Sequence, residues 1–186
     1  SKCLGSTSDT FYANAGIFGK VYFPRLAVPV SVVITNLITF ALQFALFLGI
    51  LGMFYVKGFR FQPNWMILLT PLLILQMAAL GLGTGIIISS LTTKYRDFTY
   101  LIGFGTQLWM YATPIIYPMS QIPQKWMWVF YANPMAPIVE IFRYAFLGTG
   151  SVSGPQVLSS VGVTLLLLVL GVILFSRIEK TFMDTV

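Results

Sequence analysis

Histidine is absent from the 186 residues, and cysteine occurs once, at Cys3. The first absence removes Ser-His-Asp and Cys-His catalysis together with the commonest metal ligand. The second excludes an internal disulfide and a cysteine-based zinc site. Charge is equally scarce, at 9% of the chain, against about 25% in a soluble domain. The 5 acids are scattered, so no pair is placed for general acid–base work. No GxxxxGK[ST] run is present, so this chain does not cradle ATP phosphates. No catalytic, cofactor-binding or metal-ligating set is expected, and the chain alone is not an enzyme.

What the sequence has instead is apolar surface, 57% of its residues. A soluble protein of this size could not hide so much, because its outer shell needs polar groups. Lipid removes that requirement. Four stretches are long enough to span a bilayer, which takes about 20 apolar residues. They cover 26–56, 65–91, 98–117 and 157–175, and none contains an acid. Without an intramembrane acid, a proton- or sodium-coupled transporter lacks its usual coupling site. Their even, non-alternating apolarity predicts helices rather than a barrel.

The few charges are mostly basic, 11 Lys and Arg against 5 Asp and Glu. They lie between the apolar runs without a polar, aromatic-interleaved cluster, which argues against nucleic acid. Lys20, Arg25, Lys94, Arg96, Arg177 and Lys180 fall on one face by the parity of four spans, close to the span ends. Lys57, Arg60, Lys125 and Arg143 fall on the other. The positive-inside bias places the first face, and with it the C-terminus, in the cytoplasm. The chain opens on Ser1 with no basic n-region or cleavable signal, and is read as lacking its true N-terminal part. The amphipathic segment before Lys20 reads either as the end of a span or as a surface helix.

Region 118–155 breaks the hairpin pattern. Pro118, Pro123, Pro134, Pro137 and Pro155 divide it into apolar pieces too short to cross. It reads as a re-entrant or interfacial helix pair on the outer side, or as an aromatic belt at the headgroups built on Trp126, Trp128 and Tyr131. Glu140 and Arg143 stand three apart, on one helix face. They form either a self-neutralising internal pair or the outer gate. Gly81 and Gly85 form a GxxxG, suited to helix packing within one subunit or between two. The charged loops 14–25 and 92–98 are ordinary cytoplasmic loops or docking knobs for a soluble partner.

Four runs in order carry a specific resemblance: KVYFPRLAVPVS at 20–31, GLGTGIIISSLTTKYRDF at 81–98, ATPIIYP at 112–118 and NPMAPIVEIFRYAFLG at 133–148. They resemble the permease subunit of the ABC-2 type exporters of O-antigen, teichoic acid and capsular polysaccharide. The resemblance implies an all-α, polytopic membrane helical bundle with short re-entrant or interfacial helices on the outer side. It implies a homodimer of six-span permeases in a bacterial cytoplasmic (inner) membrane, joined to an ATP-binding cassette subunit that holds ATP and magnesium. The cargo it implies is lipid-linked polysaccharide. With four whole spans here, the first would correspond to the family's third.

Carried over by position, Lys20, Pro24, Arg25, Lys94, Tyr95, Arg96 and Asp97 are the expected coupling residues. Trp109, Tyr111, Tyr117, Trp126, Trp128, Tyr131, Glu140 and Arg143 are the expected substrate path or gate. Aromatic faces suit a sliding sugar chain, because rings stack on them while hydroxyl and indole groups hydrogen-bond. An exporter of another cargo, a drug or small lipid, would share this framework.

Overall fold

The structure is a computed structural model that describes residues 27–58, 62–94, 98–115, 122–150 and 153–183. Among them every regular element is helical: α1 (Ala27–Val56), α2 (Thr70–Lys94), α3 (Phe98–Tyr111), α4 (Met127–Ala132), α5 (Met135–Leu147) and α6 (Gly154–Met183). Short 3-10 turns at Trp65–Leu69 and Gln124–Trp126 lead into α2 and α4.

Proline placement explains much of this segmentation. α1, α2, α5 and α6 carry Pro29, Pro71, Pro137 and Pro155 within their first three residues. The first helical N–H groups have no intrahelical acceptor, so a proline there removes nothing. Asn64 caps the 3-10 turn ahead of α2 by accepting the Trp65 N–H at 2.8 Å. Gly148 closes α5 in the left-handed conformation at φ 70°, its N–H returning to the Tyr144 carbonyl at 3.1 Å. A β-carbon there would lie 2.9 Å from the Gln62 carbonyl oxygen, so the tight cap and the close approach both require glycine.

Three helices are long and apolar enough to cross a membrane: Ala27–Val56, Trp65–Thr92 and Gly154–Arg177. Their outward faces carry Leu42, Leu46, Leu72, Leu75, Leu158 and Leu165, all well exposed. That inside-out arrangement belongs to a multi-pass membrane helical bundle rather than a soluble core. Of the expected third span at 98–117, the described residues 98–115 are helical over the 14 residues of α3. At 1.5 Å per residue that is about 21 Å, short of the roughly 30 Å hydrocarbon layer. Pro114 supplies the reason, since its ring clashes with a preceding helical turn and Thr113 is driven out of helical geometry. The last helix is longer than the expected 157–175, beginning at Gly154 and running to Met183.

The chain divides into two compact units. One combines residues 37–77 and 111–162. Its core joins Leu73 of α2 to Ile138 and Ile141 of α5, with Met135, Phe142 and Val157 packed against them. Phe44 meets Phe142 and Phe146 edge-on at 6.3 and 5.7 Å, and Phe47 meets Phe146 at 5.7 Å. Polar bonds cross-brace the same core. Gln76 Nε2 donates to Ser160 Oγ at 2.9 Å, and Ser160 donates to the Pro134 carbonyl. Asn64 N–H donates to the Ala145 carbonyl at 3.0 Å. Together these seat α5, although it is too short to cross a membrane.

The other unit includes residues 78–110 and those from 163 onward. Here α2 and α6 meet backbone to backbone. A β-carbon on Gly83 would lie 2.8 Å from Leu168 Cα, and one on Gly171 would lie 2.8 Å from the Gly83 carbonyl oxygen. Small residues permit such approach where lipid offers no hydrophobic drive between helices. Gly81 and Gly85, picked out by their spacing, flank this contact; Gly85 is buried and Gly81 half-buried. Two residues turn an α-helix by about 200°, so Gly83 looks out from nearly the opposite side. Replacing Gly83 or Gly171 with leucine should therefore lower stability by about 1–3 kcal/mol, the usual overpacking penalty. Gly49 and Gly52 have open space beside them, and alanine there should leave the detergent-phase melting temperature unchanged or raised. Equal melting of all four variants would contradict the crossing.

Candidate functional site

The chemistry of this chain concentrates where α3 is broken. Past Tyr111 the chain turns through Ala112, Thr113, Pro114 and Ile115, and its carbonyls have lost their helical donors. Thr113 and Pro114 are buried, so water does not substitute there and those carbonyls need a donor from the protein. All four find one. Asn133 Nδ2 donates to the Ala112 carbonyl at 3.1 Å and to Thr113 Oγ1 at 2.9 Å. The Ile115 N–H returns to the Thr113 carbonyl at 2.7 Å. One guanidinium nitrogen of Arg143 donates to both the Pro114 and Ile115 carbonyls, at 3.1 and 3.0 Å.

Both side-chain donors are positioned by α5. Asn133 precedes the helix and is 2% exposed; its Oδ1 accepts the Met135 N–H at 3.0 Å. That side chain thus caps one element with its oxygen and holds another with its nitrogen. Arg143 lies two turns along α5. Its Nη1 donates to Glu140 Oε1 at 3.0 Å, closing an i, i+3 ion pair. The Glu140 side chain is only 3% exposed. A lone charge at that depth is severely penalised, whereas a paired and hydrogen-bonded one is tolerated. Gly150, at φ 125°, closes over the carboxylate, and a β-carbon there would stand 2.6 Å from Glu140 Oε2. Arginine's planar fork lets one side chain serve an acid and two carbonyls at once, which a lysine point charge does not.

The sequence therefore placed Glu140 and Arg143 correctly as a pair, and the structure adds what the pair is attached to. Asn133 and Thr113 were missed. The signal lay in Asn133 standing just before Pro134, the position of a helix cap. The aromatic residues are positioned differently. On α3, Trp109 and Tyr111 are exposed, as are Tyr100 and Phe104 on the same helix. Trp126, Trp128 and Tyr131 are exposed around α4, which buries Phe130 instead. Tyr117 lies outside the described residues, as do Lys20, Pro24, Arg25, Tyr95, Arg96 and Asp97. Lys94 ends α2. Among the described residues no group of three or more acids, cysteines or histidines is placed to hold a metal.

Removing the arginine strands a buried carboxylate and two carbonyls together. Arg143→Met should destabilise the protein by about 3–5 kcal/mol, as breaking one side of a buried ion pair does. Glu140→Gln, which leaves a neutral hydrogen-bonding group, should cost less. Denaturation of the purified membrane protein followed by tryptophan fluorescence would rank them, and the reverse order would refute this account of the pair.

Comparison with known proteins bears on what this arrangement serves. Two O-antigen export system permease proteins RfbA of Klebsiella pneumoniae are 29% and 28% identical over 177 and 176 residues, 94% of this chain in each case. The RfbA protein of Myxococcus xanthus is 31% identical over 125 residues, covering 67% of this chain and 46% of its own length. The chain spans 66% of the length of the two Klebsiella relatives. Residues 2–147 match the profile of the ABC-2 type transporters, a stretch that includes the broken end of α3 and all of α5. With its apolar spanning helices and that match over most of its length, the chain belongs to the ABC-2 type transporter family.

Proposed function

We propose that this chain is the membrane-spanning subunit of an ATP-driven exporter that moves lipid-linked polysaccharide across the cytoplasmic membrane of a bacterium. The observation that carries the reading is the likeness, over 94% of the chain, to permeases named for O-antigen export. In this reading a second copy of the permease completes the path, and a cytoplasmic ATP-binding cassette subunit supplies the energy, with ATP and magnesium bound there. Loops 14–25 and 92–98 meet that subunit through Lys20, Pro24, Arg25, Lys94, Tyr95, Arg96 and Asp97. The C-terminus is cytoplasmic, and α4 and α5 lie on the outer side.

The physical support is the character of α3. A polysaccharide is too polar for lipid, yet its ring faces stack on aromatics. Tyr100, Phe104, Trp109 and Tyr111 all stand exposed on this one short helix, and no charge interrupts it. Weak, repeated stacking lets a chain advance without lodging in one deep well. A drug or small lipid would use the same framework, but the named relatives favour polysaccharide.

Replacing Trp109 and Tyr111 together with alanine should lower export by about tenfold with ATP hydrolysis falling in step, so that coupling stays intact, the size expected from two lost stacking contacts. Replacing Arg96 and Asp97 should have the opposite signature, with ATP consumed and little polysaccharide moved. Both are read in vesicles holding the full permease and its ATP-binding partner, by polymer accumulation and phosphate release. Unchanged export in the aromatic variant, or ATPase stimulated by drugs but not by lipid-linked glycan, would overturn the reading.

A further inference from the structure

The four bonds around the broken end of α3 have a consequence beyond stability. Among the described residues, the Ala112, Pro114 and Ile115 carbonyls accept from side chains of the Asn133–Arg143 segment, from Asn133 at one end and Arg143 at the other. Two points, separated by ten residues and nearly three helical turns, fix both position and direction of a segment. A single contact would leave it free to swing.

The contacts are also asymmetric in kind. Arg143 is charged and requires Glu140 beside it. Asn133 is neutral, buried, and has its carboxamide oxygen already occupied by the Met135 N–H. Its nitrogen is thereby oriented toward Ala112 and Thr113.

We propose that Asn133 is a positioning residue: with Arg143 it clamps segment Ala112–Ile115 to α5, so that the end of α3 and the short helix move as one body during transport. Nothing in the clamp opens in the transport cycle. Motion takes place around the clamped body instead, because parting its halves would take the Asn133 amide and the Arg143 guanidinium away from the Ala112 and Pro114 carbonyls at once. The clamp rests on the export reading only for the activity that reports it, and one arm of the test is independent of cargo.

The test uses the full permease with its ATP-binding partner, in a Cys3→Ser background. Thr113→Cys combined with Asn133→Cys removes the upper contact. In the reduced state export should fall by about tenfold, the scale of one lost buried hydrogen bond. Joining the two cysteines with a short bifunctional thiol reagent should restore it. A crosslinked complex that stays inactive means the segments must separate, and overturns the proposal; so does wild-type export from the reduced pair. For the cargo-independent arm, Ile115→Cys is labelled with maleimide in the solubilised complex, the native side chain being 51% exposed. Adding Asn133→Asp, which keeps the capping oxygen and removes the donor, should speed labelling several-fold. Equal labelling overturns the clamp whatever the cargo. Faster labelling with no polysaccharide moved by the unmodified complex upholds the clamp and rejects the export reading.

Discussion

A backbone carbonyl that leaves a helix inside a protein must find another donor, and in a chain surrounded by lipid that requirement has no exemption. Pro114 forces the issue by ending α3 after 14 residues. The carbonyls beyond it are answered by Asn133, Arg143 and a local turn. From this one demand much of the neighbouring architecture follows. Arg143 must be partly buried to reach the carbonyls, and the buried Glu140 balances its charge. Gly150 must be glycine to let the loop close over that acid. α5 in turn must be held firmly, which the Phe44, Phe47 and Phe146 contacts and the Gln76–Ser160–Pro134 relay accomplish.

The remaining helices obey a different economy. Lipid outside and side chains inside are equally apolar, so burial alone gives little preference for one helix packing over another. Close backbone contact supplies the preference at Gly83 and Gly171. Two hydroxyl groups near this contact return to carbonyls of their own preceding turn, Thr84 to Leu80 and Ser176 to Val172. They stay satisfied without directing partners. Specific association then rests on few positions, and those positions admit no side chain.

A structural division follows from these two regimes. The α5 region is polar inside and heavily bonded, which suits an element that keeps its shape. Helix α3 instead presents Tyr100, Phe104, Trp109 and Tyr111 outward.

Much of this was legible before any coordinates. Long uncharged runs between basic loops define membrane helices, because neither feature has another use in a chain with 9% charge. Prolines mark where helices begin, and spacing alone puts Glu140 beside Arg143. What the sequence could not determine is which residues meet across long separations. Asn133 reaches back 21 residues to Ala112, and Arg143 reaches 29 to Pro114. Likewise the GxxxG of Gly81 and Gly85 is visible in the sequence, while the contact at Gly83 depends on the path of α6. Periodicity describes one helix at a time. The partner of each face is chosen by how the whole chain satisfies its buried polar groups, and only the tertiary structure makes that choice.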